Sequence, residues 1–231
     1  GHLQDVRPQS RRTRPVSLER PKAVLFDWDN TLVDCWGVIH RALADTFIAM
    51  GQRPWTFEEA KIRVRRSLRD SFPELFGERW TEAREVFYSS YHANHLTHVA
   101  PLPGAAELLD GLREHGVTLG VVSNKDGKYL RAEADHLGWR KHFAAVVGAT
   151  DAAADKPAAA PVVMALAAAN MEPGPAIWFV GDAAIDMECA YNTGCRAVLI
   201  GPGVDVDALR QFPPHARFDD CTALRHLVHR W

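Results

Sequence analysis

The sequence has little cysteine, little net charge and no long apolar run. Its 231 residues include four cysteines, and none of them forms a Cys-x-x-Cys pair, so we expect buried free thiols, a reducing compartment and a cytoplasmic location. The formal net charge of −2 predicts no general attraction to nucleic acid or to an anionic membrane. A membrane-spanning helix needs about 20 apolar residues, and no segment approaches that length. We therefore expect a globular protein, present as a monomer or a homodimer.

The first 20 residues are polar and rich in arginine. They contain no apolar core, which argues against a secretory signal peptide. We expect a flexible basic segment over 1–20, and a basic arm that binds polyanions is the alternative.

Alternating strand-like and helix-like segments indicate an α/β fold. Runs rich in Val, Leu, Ile, Phe and Ala predict strands that are covered on both faces of a sheet. Stretches of helical length separate them, which predicts right-handed crossovers and a Rossmann-like, doubly wound parallel sheet. The predicted strands span residues 23–27, 117–124, 144–149, 176–182 and 196–201, and the predicted helices between them span 125–137, 157–169 and 183–192.

The interval 34–101 departs from this alternation, because it contains helical patterns and no convincing strand. We predict one helix over 38–50 and a second that begins at the capping-box pattern of Thr56. A third helix is expected to be capped by Thr81.

These helices predict a small helical cap over 34–101, inserted after the first strand. The core would then consist of 21–33 and 102–231. In open parallel sheets the functional site lies beyond the carboxyl ends of the strands, so an insert at this point would cover the site as a lid.

Two carboxylates, Asp27 and Asp29, follow the first predicted strand, and Thr31 comes two residues later. Residues i and i+2 of an extended segment point the same way, so the two acids would crowd each other. Such a pair is unfavourable unless a cation or a reaction uses it. An acidic turn that caps a helix is the alternative.

Polar residues also follow the next predicted strands. Ser123 and Asn124 end the second strand at the start of a helix, where backbone N–H groups attract anions; an ordinary helix cap is the alternative. Lys156 precedes a proline that would start a helix. A lysine is unfavourable beside the positive end of a helix, which indicates a phosphate or a carboxylate nearby, with a surface lysine as the alternative.

The fourth predicted strand runs through Gly181 into Asp182, and Asp186 follows one helical turn later. Positions i and i+4 share a helix face, so the two carboxylates would lie together. Glycine allows close approach of the backbone. Taken alone, Asp182 is also compatible with an ordinary N-cap.

Read in order, these polar residues form one pattern: Asp27-x-Asp29-x-Thr31, Ser123, Lys156 and Gly181-Asp182-x-x-x-Asp186. The pattern resembles that of the haloacid dehalogenase superfamily of hydrolases, from about residue 21 onward. The helical insert is similar to that of phosphoglycolate phosphatases and β-phosphoglucomutases. The resemblance implies a Mg²⁺-dependent phosphatase that hydrolyses a small, phosphoglycolate-like phosphomonoester through an aspartyl-phosphate. A phosphomutase and a non-catalytic protein of the same fold are the alternatives.

In this family pattern Asp27 would be the nucleophile, and Asp29 would protonate the leaving oxygen and then activate water. The acid at Asp29 also favours phosphoryl transfer over dehalogenation, because a leaving halide needs no proton. The resemblance assigns the transferring phosphoryl oxygens to Thr31, Ser123, Asn124 and Lys156, the last of which is also catalytic.

The resemblance also implies a magnesium site. Its ligands would be the Asp27 carboxylate, the Asp29 backbone carbonyl, Asp182 and Asp186. Asp186 would act through water or would instead anchor Lys156. Members of the family often carry Thr or Ser at the position of Ala183, so hydrogen bonds around the metal would differ here.

Arginines of the predicted cap are candidates for substrate specificity. On a helix, Arg66 and Arg69 share a face, and either could bind a carboxylate or a second phosphate of the substrate. The alternative is a solvated basic face that pairs with Glu58 and Glu59.

Overall fold

The computed structural model describes residues 18–203 and 205–231, so the predicted basic segment lies, up to residue 17, outside the described residues. The strands are β1 Ala23–Phe26, β2 Val33–Asp34, β3 Ala100–Pro101, β4 Thr118–Asp126, β5 Ala145–Ala149, β6 Ile177–Gly181, β7 Arg196–Ile200 and β8 Ala216–Phe218. Six of them form one parallel sheet in the order β5-β4-β1-β6-β7-β8, and β2 pairs with β3 in a separate antiparallel ribbon.

Nine helices lie between these strands in the described ranges, and a tenth follows β8. They are α1 Trp36–Ala49, α2 Phe57–Arg63, α3 Leu68–Phe76, α4 Trp80–His98, α5 Ala105–Glu114, α6 Gly127–His136, α7 Ala160–Ala167, α8 Ala184–Thr193, α9 Val206–Gln211 and α10 Cys221–Val228. Within the described ranges, none of them has both the length and the apolar character required to cross a bilayer.

Alternation along β1 sends side chains to both faces of the sheet. Val24 and Phe26 belong to the hydrophobic cluster that also includes residues of α1 and α4. Ala23 and Leu25 belong to a second cluster on the other face of the sheet. All four are buried. Because full burial of a Leu or Phe side chain stabilises the fold by about 1.5–3 kcal/mol, a continuous apolar strand is favoured only at the centre of a covered sheet.

The predicted parallel α/β core is confirmed, with one strand added. β8 was not predicted, because a three-residue edge strand with partly exposed side chains produces no apolar run. β4 continues past the predicted end to Asp126, which pairs with Ala149 of β5. The side chain of Asp126 then caps α6 by accepting a hydrogen bond from the Lys128 N–H.

Helices α1 to α4 lie between the two ribbon strands, and we call them the inserted helices. Aromatic rings pack between them. The ring centroids of Phe47 in α1 and Phe76 in α3 are 5.3 Å apart, and those of Phe72 in α3 and Phe87 in α4 are 5.7 Å apart. The division of the chain into a core and a cap at 34 and 101 stays a prediction.

Local details of the inserted helices differ from the sequence predictions. Thr56 caps α2 as predicted, and its side chain accepts a hydrogen bond from the Glu59 N–H. The prediction for Thr81 is wrong, because α4 already begins at Trp80 and Thr81 lies inside it.

The helix predicted across the arginine-rich segment is interrupted. α2 ends at Arg63, and Val64 and Ser67 have extended backbone angles, so Arg65 and Arg66 lie in a loop before α3. The predicted start of a helix at residue 157 is also wrong: Pro157 precedes α7, whose first turn contains Pro161 instead.

Candidate active site

The polar residues of the four motifs meet at the carboxyl edge of the sheet. β1 ends directly before Asp27, β6 ends directly before Asp182, and Ser123 lies within β4. Lys156 comes from the loop after β5. Because these strands are parallel neighbours, their carboxyl ends bring residues from distant parts of the chain to one edge.

A tight turn after β1 places Thr31 among these carboxylates. Asn30 has a φ of 62°, in the left-handed region that asparagine tolerates better than most residues. The N–H of Leu32 donates to the carbonyl of Trp28 at 3.0 Å. The Thr31 hydroxyl then lies 3.0 Å from Asp182 Oδ1 and 3.3 Å from Asp27 Oδ2, so it bridges two acids.

Lys156 is buried between two carboxylates. Its Nζ lies 2.9 Å from Asp27 Oδ1 and 2.7 Å from Asp186 Oδ1, and its side chain is only 2% exposed. Burial alone would lower the pKa of Lys156, but the charges of Asp186 and Asp27 outweigh it and raise the pKa. Lys156 is therefore a fixed cation beside Asp27.

Three carboxylates, of Asp27, Asp182 and Asp186, place ligand oxygens within 4.8 Å of one another. Burial raises the pKa of Asp182 well above its usual value, and the charges of Asp27 and Asp186 raise it further. Burial and the charge of Asp27 raise the pKa of Asp186 to about 6. One lysine does not balance three carboxylates, and the oxygen-only donor set suits a hard divalent cation.

Gly181 fits this cluster for a steric reason. A Cβ at that position would overlap the carboxylate of Asp186. The N–H of Ala183 donates to Asp186 Oδ2 at 3.2 Å, so the side chain at residue 183 is not required for this hydrogen bond.

Asp29 lies against a second buried lysine that the sequence analysis missed. Lys125 Nζ lies 2.5 Å from Asp29 Oδ1 and 2.7 Å from Glu133 Oε1. The Cys35 thiol also donates to Asp29. Burial raises the pKa of Asp29 above its usual value although Lys125 opposes that shift, so Asp29 is easier to protonate than a free aspartate.

Glu133 connects this lysine to the inserted helices. Its carboxylate is completely buried and accepts hydrogen bonds from the Tyr91 hydroxyl at 3.0 Å and from Trp28 Nε1 at 3.4 Å, and it lies 3.2 Å from His95 Nδ1. Tyr91 and His95 belong to α4, and Glu133 belongs to α6. Asp29 is thus linked to α4 through Lys125 and Glu133. We name Asp29, Lys125, Glu133, Trp28, Tyr91 and His95 the Lys125 network.

Ser123 and Asn124 form hydrogen bonds with the backbone around the site. Ser123 is buried, and its hydroxyl accepts a hydrogen bond from the Lys125 N–H at 3.1 Å. The Asn124 side-chain amide donates to the carbonyl of Lys156 at 3.0 Å. Asn124 therefore orients the backbone that carries Lys156, and its role in phosphate binding stays a prediction.

The two arginines predicted to set specificity already have carboxylate partners. Arg66 is exposed, and its Nη1 lies 3.1 Å from Glu74 Oε1. Arg69 forms a two-pronged ion pair with Asp155 at 2.6 and 2.7 Å, next to Lys156. The alternative pairing with Glu58 and Glu59 is not formed either: Glu58 pairs with Lys61, and Glu59 pairs with Arg53.

A cavity of about 380 Å³ separates the inserted helices from the carboxyl edge of the sheet. Its floor includes Asp27, Lys156 and Asp182, and its walls include Trp36 and Arg65. The cavity therefore gives a small molecule access to the carboxylates and to both lysine environments.

Comparisons with known proteins agree with this geometry. The family model described as haloacid dehalogenase-like hydrolase matches residues 24–200. A phosphoglycolate phosphatase of Chromobacterium violaceum is 29% identical over 197 residues, covering 81% of this chain and 88% of the relative. A phosphoglycolate phosphatase of Agrobacterium fabrum is 29% identical over 220 residues, covering 92% of each chain.

Solved structures show the same architecture. The crystal structure of a hydrolase of this superfamily from Ehrlichia chaffeensis has a TM-score of 0.64 and 28% identity, covering 93% of this chain and 98% of that one. These findings confirm the predicted fold and the predicted enzyme class, a hydrolase of the phosphatase type. With 177 of its 231 residues inside the matched family model (24–200), the chain belongs to the haloacid dehalogenase-like hydrolases.

Proposed function

We propose that this hydrolase is a Mg²⁺-dependent phosphatase of a small phosphorylated metabolite, and that it acts through an aspartyl-phosphate on Asp27. The observation that carries the proposal is the surrounding of Asp27: a buried lysine at 2.9 Å and two further carboxylates, all open to a cavity of about 380 Å³. A carboxylate can attack an anionic phosphate only where fixed cations offset the repulsion.

Asp27 is the nucleophile in this proposal. Its carboxylate oxygen attacks phosphorus, the bond from phosphorus to the ester oxygen breaks, and an acyl phosphate forms. The pairing of Lys156 with Asp27 and Asp186 supports a role for Lys156 in balancing the charge of the phosphoryl group. Thr31 and Ser123, which lie at the same edge, would hold phosphoryl oxygens.

Asp29 moves the proton in both half-reactions. It donates its proton to the leaving oxygen, so the alcohol departs neutral, and it then accepts a proton from the water that attacks the acyl phosphate. The raised pKa of Asp29, caused by burial, supports the first role because it makes the carboxylate easier to protonate. Lys125 would hold Asp29 in place between the two steps.

The carboxylates of Asp27, Asp182 and Asp186 fit a magnesium ion, and the Asp29 backbone carbonyl completes the proposed set of protein ligands. When bound, Mg²⁺ supplies positive charge that lowers the repulsion between Asp27 and the phosphate. The direct ion pair of Asp186 with Lys156 supports its role as an anchor of the lysine.

A phosphoglycolate-like substrate is proposed from the relatives, since the two curated proteins compared above are both phosphoglycolate phosphatases. The inserted helices would then act as the cap over the bound substrate. The predicted cytoplasmic location and the monomeric or dimeric state stay predictions.

The test is release of inorganic phosphate from a panel of phosphorylated metabolites, with Mg²⁺ and with a chelator. We expect Mg²⁺-dependent release, with phosphoglycolate among the substrates, and no release by Asp27→Asn. Release by Asp27→Asn at the wild-type rate would refute the mechanism. Conversion of β-glucose 1-phosphate to glucose 6-phosphate without phosphate release would favour the phosphomutase alternative.

A further inference from the structure

Arg65 differs from the neighbouring arginines of the inserted helices. It lies in the loop between α2 and α3, and its side chain lines the cavity. Its Nη1 donates to the carbonyl of Val64 at 2.9 Å. Its Nε and Nη2 atoms are buried, and neither has a hydrogen-bond partner among residues 18–203 and 205–231. Arg66 and Arg69, in contrast, are each paired with a carboxylate.

The two unpaired atoms define a shape. Nε and Nη2 are the adjacent donors on one edge of the guanidinium, and together they match the two oxygens of a carboxylate or of a phosphate. A guanidinium cannot lose its charge under ordinary conditions and has no acceptor of its own. Buried donors without partners are unfavourable, so an anion that enters the cavity could accept hydrogen bonds from both of these donors.

The position of Arg65 relative to the carboxylate cluster indicates which part of a substrate it would bind. Burial lowers the pKa of Arg65, and the charges of Asp182, Asp205 and Asp186 oppose that shift. Asp182 and Asp186 belong to the carboxylate cluster on the floor of the cavity. Arg65 thus lines the same cavity as the proposed phosphate position, but it comes from the loop between α2 and α3 and not from the sheet edge that carries Asp27.

We propose that Arg65 is an anion-binding residue for a second negatively charged group of the substrate, a carboxylate or a second phosphate. The inference rests on the proposed function, because the first group is the phosphate placed at Asp27. In this proposal Arg65 takes the specificity role predicted for Arg66 and Arg69. It favours phosphomonoesters that carry a second anionic group over those in which the rest of the molecule is uncharged.

The test measures binding without turnover, in the presence of Mg²⁺. The ligands are 3-phosphonopropionate, which cannot be hydrolysed and carries a carboxylate, and n-propylphosphonate, in which a methyl group replaces that carboxylate. Isothermal titration calorimetry compares the wild type with Arg65→Gln, Arg65→Lys and Arg66→Gln. Arg79→Gln is the matched control, since Arg79 is exposed and pairs with Glu82 outside the cavity.

We expect the wild type to prefer the carboxylate-bearing ligand and Arg65→Gln to lose that preference, through a decrease in affinity of roughly tenfold to a hundredfold for 3-phosphonopropionate alone. Arg65→Lys should keep only part of the preference, because lysine retains the charge but lacks the paired donors of the guanidinium. 3-Phosphonoxypropionate and 1,3-propanediol bisphosphate, used as substrates, then distinguish a carboxylate from a second phosphate.

Several outcomes would overturn the inference. An equal loss of affinity for both ligands in Arg65→Gln would mean that Arg65 binds the transferring phosphoryl group. No loss in Arg65→Gln, or loss of the preference in Arg66→Gln instead, would mean that Arg65 does not bind the second group. Equal affinity of the wild type for the two ligands, or no detectable binding of either, would do the same. Failure of the proposed function is distinguishable, because it would appear as absent phosphate release while the binding preference is still measured.

Discussion

Asp27 and Asp29 are two residues apart, yet each lies against its own buried lysine. Asp27 pairs with Lys156, which also holds Asp186, and this cluster lies at the cavity floor. Asp29 pairs with Lys125, which also holds Glu133. Each lysine thus bridges one acid of the β1 turn and one acid from a helix.

The difference between the two clusters lies in what else they contain. The Lys156 cluster has an excess of carboxylates, with Asp182 close by, which fits a site that needs a further cation. In the Lys125 network the completely buried Glu133 accepts hydrogen bonds from the neutral side chains of Tyr91 and Trp28, which fits a connection between Asp29 and α4. Similar ion pairs therefore support different tasks: one prepares the nucleophile, and the other fixes the acid and links it to α4.

The most disruptive change is Lys156→Met, which breaks the first cluster. We expect phosphate release to fall by about 10²- to 10³-fold, because a preorganised cation beside the nucleophile is lost. Turnover measured at saturating Mg²⁺ checks this. Lys141→Met, on an exposed position away from the cavity, is the control, and a similar loss there would contradict the assignment.

Lys125→Met breaks the second cluster. It leaves Glu133 completely buried without its cation, so we expect the free energy of unfolding to fall by about 3 kcal/mol. Urea denaturation checks the change. Lys128→Met, an exposed neighbour, should stay within about 0.5 kcal/mol of the wild type.

The double variant Lys125→Met/Glu133→Gln sharpens this prediction. Removing the charges of both residues should recover part of the stability lost in Lys125→Met, because the completely buried Glu133 carboxylate no longer lacks a cation, although Asp29 still does. A further loss of the same size would show that the two residues do not act as a pair.

The pH dependence of magnesium binding should distinguish the clusters further. The pKa of Asp186 is raised to about 6, and that of Asp182 is also raised, so protons compete with the metal below that pH. Raised acid pKa values mean that the folded, metal-free protein binds protons more tightly than the unfolded chain. Its free energy of unfolding therefore decreases as the pH rises through this range.

Mg²⁺ should therefore raise the melting temperature more at pH 7.5 than at pH 5. Asp186→Asn should reduce this dependence on pH, whereas Lys128→Met should not. An equal shift at both pH values in the wild type would contradict the proposed ligand set.

The smallest expected effect belongs to Tyr91→Phe, which removes one hydrogen bond from the Lys125 network. The free energy of unfolding should fall by about 1 kcal/mol, because Glu133 keeps Lys125 as its charged partner. Turnover should change little. Urea denaturation of the variant and the wild type measures this change. A loss of stability as large as that of Lys125→Met would contradict the view that Lys125 is the main partner of Glu133.

The first cluster could be predicted from the sequence, and the second could not. Apolar strands that end in Asp27 and Asp182 mark their own position at the sheet edge. The residues left Lys156 open between an anion-binding lysine and a surface lysine, and the resemblance to a family favoured the first. Lys125 lies at the end of β4, beyond the predicted end of that strand. Glu133 lies in α6, and an acid within an amphipathic helix has no sequence signal that separates a buried position from an exposed one. The burial of Glu133 depends on α4, which packs against α6 only in the folded chain.

The same limit explains the arginines. A basic stretch with helical spacing predicted one helix, but the extended backbone at Val64 and Ser67 divides it and turns Arg65 toward the cavity wall. Pairing of Arg69 with Asp155 depends on a contact across 86 residues, which no local pattern records. Short-range patterns thus located the strand ends well and the loop of the inserted helices poorly.

The division of labour between Asp27 and Asp29 is tested most directly with p-nitrophenyl phosphate and the Asp29→Asn variant. The nitrophenolate leaving group needs no proton, so Asp27 should be phosphorylated rapidly, whereas hydrolysis of the acyl phosphate should be slow without a base. We predict a burst of one nitrophenolate per enzyme, with one phosphoryl group located on Asp27 by mass spectrometry. Slow release without a burst, and no phosphoryl group on Asp27, would contradict the account.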